Sequence, residues 1–418
     1  MSTATAYEAL SPETLGARLA DVSAVTDILG TAHQDWSIRE VGDGNLNLVF
    51  IVEAGPAAII VKQALPYVRL VGESWPLPLY RAFYEHHALT RQAARDPGTV
   101  PEVLYYNEVQ ALIVMEFLRP HVILRRVLID GGHVADLGAF MGRFCARTAF
   151  RGSELSMISA DKKADVGLFS GNVAIPAISE ALVFTDPYFD AEMNNHTPGL
   201  DPVVAELRGD VVLKQKVQRA LMSFASNTQT MVHGDLHSGS IMATETDIKI
   251  IDPEFAQYGP LGFDLGMMIA NFLMSYFSQP AHRDDPSAYQ AWILDVIGDA
   301  VRSFEAEFTT LWQTERTGML FPKSLFEDQG HSSQQACAAL LQDIWADALT
   351  FCGIEMHRRC LSLAHNADFE DISDEALRAK LEARNLKMGA ALIHGADTLA
   401  DVAALQAMAR DYNRGEYL

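Results

Sequence analysis

Cysteine is scarce in this sequence. There are four in 418 residues, Cys145, Cys337, Cys352 and Cys360, and no CxxC pair. That excludes a disulfide framework, argues against a structural zinc site, and points to a reducing cytosol. Long apolar runs are missing too. The most apolar stretch, Leu261 to Phe277, is interrupted by Asp264 and Asn271. It falls short of the roughly 18 apolar residues of a membrane-spanning helix, so it reads as a buried core helix. The opening segment, MSTATAYEALSPETLGARLADV, has no basic start followed by an apolar run, so no signal peptide and a cytoplasmic location are expected. Positive charge is in deficit: 32 Lys and Arg against 54 Asp and Glu, a net −22. A chain this acidic repels phosphate backbones and anionic lipid surfaces, so neither nucleic acid nor membrane is an expected partner. A local basic pocket for a small anion remains compatible. No internal repeat, low-complexity segment or GxxxxGK[ST] phosphate loop is present.

What is there reads as a globular protein of two or three domains or lobes, with 49% hydrophobic and 21% charged residues. Ser11 and Pro12 mark a helix start within a helical segment from about residue 7 to 34. Ile38 to Ala54 alternates around the turn Gly42-Asp43-Gly44-Asn45 and predicts two antiparallel strands. Gly55-Pro56 turns into a third strand, Ala57 to Lys62. A helix is predicted from about Pro78 to Arg95, with Leu79, Phe83, His86 and Leu89 on one face. Strands follow at Val103 to Tyr106 and Ala111 to Met115. This makes a small α+β lobe over residues 1–118 and a mainly helical lobe over 119–418. In the second lobe, Thr230 to Phe255 holds a loop (233–240) and two short strands (241–243 and 248–251). Residues 185–202 read as loop, and 333–410 as long helices.

The strongest chemical signal is His233-Gly234-Asp235-Leu236-His237-Ser238-Gly239-Ser240-Ile241. Asp252 follows seventeen residues after Asp235, ending an apolar strand in Asp252-Pro253-Glu254. Two carboxylates flanking a hairpin are what phosphoryl transfer from a nucleotide needs. One orients the attacking hydroxyl and accepts its proton; the other holds the magnesium that bridges the phosphates. Glu254 adds an oxygen donor. Either aspartate alone could be a turn cap or a strand end; the joint pattern is the specific signal. Lys62 closes an apolar strand and suits pairing with nucleotide phosphates, with Glu85 on the next helix as its best-placed partner. Val41-Gly42-Asp43-Gly44-Asn45-Leu46-Asn47 offers backbone amides to a phosphate, although the same residues make an ordinary hairpin turn. Arg358-Arg359 lies on a predicted helix. Adjacent helical residues point about 100° apart, so at most one should share a face with a given ligand. The alternatives are a solvated surface pair and an anion or hydroxyl clamp.

Together these residues resemble the 5-methylthioribose kinase family of small-molecule kinases with a protein-kinase-like bilobal fold. The resemblance rests on GDGNLN (42–47), VKQALPYVRLVGESWPL (61–77), HGDLHSGSI (233–241), DPEFAQYGPLGFDLG (252–266) and MHRRC with LAHNADF (356–369), spread along nearly the whole chain. It implies ATP-dependent phosphorylation of 5-methylthioribose at its anomeric hydroxyl, a step in methionine salvage, by a cytoplasmic homodimer. By the same resemblance Asp235 is the catalytic base at the sugar. Asp252, Pro253 and Glu254 meet the ATP phosphates and Mg2+. Lys62, Glu85, Gly44 and Asn45 complete the phosphate site. Glu116, Phe117 and Leu118 form the hinge that receives adenine, Arg358 and Arg359 bind the sugar, and Trp75 lies near the nucleotide. Ser240 stands where generic kinases have asparagine, as the family resemblance also has it, which leaves the metal to Asp252 and Glu254. The alternatives are an aminoglycoside, choline or homoserine kinase of the same fold, and a catalytically dead nucleotide-binding protein. The last would lack Asp235, Asp252 or Lys62, and all three are present.

Overall fold

Apolar alternation and short turns build the first part of the chain. In the computed structural model, which describes residues 6–41, 46–68 and 72–415, the chain divides into two units. One is Met1–His121 with Lys249–Phe255; the other is Val122–Ile248 with Ala256–Leu418. Gly44 and Asn45 lie outside the described residues.

The first unit opens with helices α1 (Pro12–Leu19) and α2 (Ser23–Leu29), and Ser11 and Pro12 start α1 as the sequence predicts. Strands β1 (Ser37–Glu40), β2 (Asn47–Ala54) and β3 (Ala57–Ala64) follow, then a hairpin of β4 (Tyr67–Val68) and β5 (Gly72–Pro76) that sequence patterning did not predict. Helix α3 (Arg81–Arg95), β6 (Val103–Asn107) and β7 (Leu112–Glu116) complete it. An antiparallel sheet runs in the order β1-β2-β3-β7-β6. Ile59 and Val61 of β3 join the core formed with Leu15 and Leu19 of α1 and Val25 and Leu29 of α2. Side chains alternate along a strand, so Lys62 emerges on the opposite face, toward α3.

The predicted inner face of α3 needs correction. The helix buries Arg81, Ala82, Tyr84, Glu85, Ala88 and Leu89, while Phe83 and His86 are only partly buried. Three buried charges, Arg81, Glu85 and Arg95, belong to that face, so counting apolar residues alone misplaces it. The segment 249–255 joins this unit through its backbone and side chains: the Ile250 N–H donates to Thr99 O at 2.8 Å, and Lys249 Nζ to Gly98 O at 2.6 Å.

The second unit is mainly helical. It begins with β8 (Val122–Ile123), α4 (Leu124–Asp130), α5 (Leu137–Arg151), α6 (Ser159–Phe169), α7 (Ala174–Leu182), α8 (Asp201–Gly209) and α9 (Val211–Ser226). Short strands β9 (Thr230–Val232), β10 (Ile241–Ala243), β11 (Ile248–Ile250, at the boundary of the units) and β12 (Gln257–Gly259) surround the loop that carries Asp235. Then come α10 (Phe263–His282), α11 (Ser287–Thr314), α12 (Gln334–Leu361), α13 (Ala367–Glu370), α14 (Glu375–Gly395) and α15 (Val402–Arg414). The predicted loop 185–202 contains one short 3-10 turn, Asp186–Tyr188, and runs into α8.

Helix α10 is the expected core helix, buried along nearly its whole length. It crosses α12 closely because Gly262 and Gly266 lack side chains. A Cβ at Gly262 would stand 2.5 Å from Ile344 O, and one at Gly266 2.4 Å from Ala348 O. This approach seats the last turns of α12, where Arg358 and Arg359 are buried. By length and composition α12 is also the one helix among the described residues apolar enough to cross a membrane. Its last two turns nevertheless bury Glu355, His357, Arg358 and Arg359 within the protein, a set that hydrocarbon would expel.

Candidate active site

In the first unit, strand and helix deliver opposite charges to one point. Lys62 Nζ is 2.8 Å from Glu85 Oε1 and also pairs with Asp252 Oδ1. Burial alone would lower the ammonium pKa, but Asp252, Glu85 and Glu254 outweigh it and hold Lys62 above its ordinary value. Burial pushes Glu85 up to about 7, against the pull of Lys62. Asp252 has φ +67°, a left-handed conformation that Asp tolerates better than most residues.

Glu254 is buried and accepts from Arg81 Nη1 at 2.9 Å and Asn47 Nδ2 at 3.2 Å. Arg81 also donates to Leu65 O at 2.9 Å and bonds Asn47 Oδ1 and Leu46 O. Arg81 therefore ties the end of the Gly-rich segment to the acidic strand end. One carboxylate oxygen from each of Glu85, Asp252 and Glu254 lies within 4.8 Å of the others, a hard-oxygen donor set of the kind magnesium takes. At the predicted hinge, β7 ends with the Glu116 N–H on Glu102 O at 2.9 Å. Glu116 is exposed, Phe117 half-buried and Leu118 buried. Pro253 is buried.

In the second unit, the loop after β9 is fixed by its backbone. Asp264, in the first turn of α10, accepts from the N–H groups of His233 at 2.7 Å and Gly234 at 3.1 Å. Ser240 Oγ donates to Asp235 O at 3.0 Å. The Asp235 side chain is held from both sides: Oδ1 lies 3.0 Å from Arg359 Nη2 and 3.9 Å from Arg358 Nη1, and Oδ2 lies 3.3 Å from His237 Nε2. His237 Nδ1 accepts the Gly239 N–H at 2.9 Å. The neutral ring then carries its proton on Nε2 and donates it to Asp235.

Burial would raise the Asp235 pKa, but His237, Arg359 and Arg358 hold it well below the usual carboxylate range. Burial lowers His237 to about 4. Asp235 is thus ionised and His237 neutral throughout ordinary conditions, so this pair should impose no acidic limb on kcat above pH ~5. A pH–rate profile of the wild type and of His237→Gln checks this. An acidic limb that His237→Gln moves would contradict it.

Arg358 and Arg359 differ from expectation. Neither is a solvated surface residue, and both approach the same carboxylate oxygen. Adjacent Cα–Cβ vectors diverge, but two long guanidinium arms bend back to one point. Arg359 serves two carboxylates, Glu355 Oε1 from Nε at 2.5 Å and Asp235 from Nη2, and donates from Nη1 to Ala364 O at 3.4 Å. Arg359→Lys keeps the charge and loses this fork. On the resemblance's assignment of Arg359 to the sugar, it should raise the acceptor KM by roughly tenfold, with a smaller change in kcat. Steady-state kinetics in acceptor and in ATP separate the two effects; a change confined to the ATP KM would contradict the assignment.

With these geometries in place, relatives decide the family. The Phosphotransferase enzyme family matches residues 37–293. A methylthioribose kinase of Escherichia coli is 40% identical over 392 residues, covering 93% of this chain and 94% of the relative. Methylthioribose kinase 1 of Oryza sativa is 37% identical over 397 residues, 93% and 92% of the two chains. A methylthioribose kinase of Pectobacterium atrosepticum is 39% identical over 378 residues, covering 89% and 91%. The chain belongs to the methylthioribose kinase family. Its fold is the α+β kinase-like one, with a small antiparallel sheet in one unit and a mainly helical second unit.

For this methylthioribose kinase family member, the structure brings Lys62, Glu85, Asp252 and Glu254 together, and separately Asp235, Arg358 and Arg359. Sequence reasoning assigned no role to Arg81, His237 or Glu355, and read Asn47 only as part of the Gly-rich segment. Arg81 left one signal: a cation in the first turn of a helix runs against the macrodipole and calls for another partner. Glu355 left the helical spacings i+3 and i+4 to the arginine pair.

Proposed function

We propose that the protein transfers the γ-phosphoryl group of ATP to the anomeric hydroxyl of 5-methylthioribose, giving the 1-phosphate and ADP, a step of methionine salvage. The observation that carries the acceptor is the 40% identity to a methylthioribose kinase along 93% of the chain. The geometry supports the chemistry. Phosphoryl transfer has a loose transition state, so catalysis is mostly positioning and electrostatics. Lys62 meets the phosphates in one unit. In the other, ionised Asp235 orients the anomeric hydroxyl and takes its proton as the O–P bond forms. A weakly basic carboxylate suffices, because the proton leaves late.

Kinases of this kind use ATP with a divalent metal. Here Asp252 and Glu254 would hold Mg2+, which neutralises phosphate charge when bound. Glu116 and Leu118 would pair with adenine through their backbones, Phe117 and Pro253 would flank the nucleotide, and Gly44 and Asn45 would cover its phosphates. Asp235, already paired with Arg358 and Arg359, offers little free negative charge to a cationic acceptor such as choline or an aminoglycoside. We further propose a cytoplasmic homodimer; the four buried free thiols fit a reducing compartment.

The test is ADP release with ATP and Mg2+, comparing 5-methylthioribose with ribose, choline, homoserine and kanamycin. Turnover with methylthioribose far above the others supports the proposal. Preferred turnover of another acceptor overturns it.

A further inference from the structure

The acceptor side holds more buried charge than a base and an arginine pair require. Glu355 lies one turn before the pair on α12 and is fully buried. Its Oε1 accepts from Arg359 Nε at 2.5 Å and from Arg358 Nη1 at 3.5 Å, while Oε2 accepts no hydrogen bond. A third guanidinium stands nearby. Arg125, in the first turn of α4, donates from Nε to Ser238 Oγ at 3.1 Å, within the Asp235 loop, and from Nη2 to Asn271 Oδ1 at 3.3 Å. Arg125 Nε is also 3.3 Å from Asp368 Oδ2. Asp368 is fully buried, and neither of its carboxylate oxygens accepts a hydrogen bond.

Burying a carboxylate with so few hydrogen bonds is unfavourable, and apolar replacements of buried ion pairs are often more stable. Stability is therefore a poor reason for Glu355 and Asp368 to be there. The charge count supplies another. Three guanidiniums, Arg125, Arg358 and Arg359, meet three carboxylates, Asp235, Glu355 and Asp368. His237 adds no charge.

We propose that Glu355 and Asp368 are positioning residues that keep this arginine cluster electrically neutral, so that the site holds an uncharged sugar through hydrogen bonds and lets it go once it is phosphorylated. The inference rests on the sugar-phosphorylating reading above. The acceptor sugar carries no charge, whereas a sugar phosphate carries between one and two negative charges near neutral pH. Guanidiniums without counter-charges bind phosphate through forked, charge-assisted bonds, and the product would then outcompete the substrate. With Glu355 on Arg358 and Arg359, and Asp368 on Arg125, the forks are directed and their charge is spent. The same balance disfavours acceptors that already carry a phosphate.

The test is calorimetric titration of the intact wild type, Glu355→Gln and Asp368→Asn with 5-methylthioribose, its 1-phosphate and inorganic phosphate. Each variant should bind the 1-phosphate more tightly relative to the sugar by on the order of tenfold. Inorganic phosphate should become a competitive ligand, and product inhibition should deepen. Glu355→Asp, which keeps the charge, should restore the wild-type ratio. Merely structural damage would weaken sugar and product together. If Glu355→Gln does not fold, Asp368→Asn decides alone. Wild-type ratios in every folded variant, with no gain for inorganic phosphate, overturn the proposal. A wild type that binds and phosphorylates a different acceptor overturns the underlying reading instead; the inorganic-phosphate titrations, which involve no sugar, then still decide the charge balance.

Discussion

Asp235→Asn should lower kcat by roughly 10²- to 10⁴-fold, the range for removing a general base, and leave ATP affinity nearly unchanged. The side chain keeps its size but can no longer take a proton. It also presents an NH2 group where Arg359 or His237 already donates, both within 3.3 Å of the carboxylate. Asp235 is fixed by Asp264, Ser240, His237 and Arg359, all in the second unit. The groups assigned to the phosphates, Lys62, Asp252 and Glu254, belong to the first. Turnover and ATP affinity are therefore expected to separate. Coupled ADP release and a direct ATP titration measure the two quantities. Near-normal turnover in this variant would remove Asp235 from the role of base.

Lys62→Met should be the most damaging change in the first unit. Lys62 is the ammonium shared by Glu85 and Asp252, with Glu254 in electrostatic reach. Removing one partner of a buried ion pair leaves uncompensated charge, a loss of about 3–5 kcal/mol. Asp252 is half open to solvent, so its share is screened and most of the loss comes from the buried pairing with Glu85. Activity should fall by at least two to three decades, since the phosphates would lose the cation proposed for them. Added Mg2+ should recover part of the lost thermal stability by placing positive charge on the same carboxylates, an effect smaller in the wild type. Thermal unfolding with and without Mg2+ checks this. A variant as stable as the wild type, with unchanged ATP affinity, would contradict the reading of Lys62 as the centre of this cluster.

How far the sequence led depends on the kind of signal. Strands β1 to β3, β6 and β7 were legible because apolar alternation and Gly or Pro turns are local. The start of α1 was legible from Ser11 and Pro12 for the same reason. The face of α3 was not, because Arg81 and Glu85 are buried for tertiary partners 173 and 23 residues away in sequence, Glu254 and Lys62. Neither was the β4–β5 hairpin, whose first strand has only two residues. In the candidate site, Asp235, Asp252, Glu254 and Lys62 stood out through motif context. The arginine pair stood out as residues, but its geometry did not, because helical periodicity describes Cβ directions and not where a six-atom arm ends. Glu355 and Arg125 were silent for a related reason. Their role is to face other charges, and one sequence does not say which charges meet.

The proposed reaction carries phosphate from ATP to the anomeric oxygen of 5-methylthioribose. Phosphorus and proton NMR of the product, formed by the purified protein with ATP and Mg2+, tests it most directly. One new phosphate ester is expected, its phosphorus coupled to the anomeric proton, with one ADP per ester. A phosphorus signal coupled to any other sugar proton, or ADP formed with no ester, would contradict it.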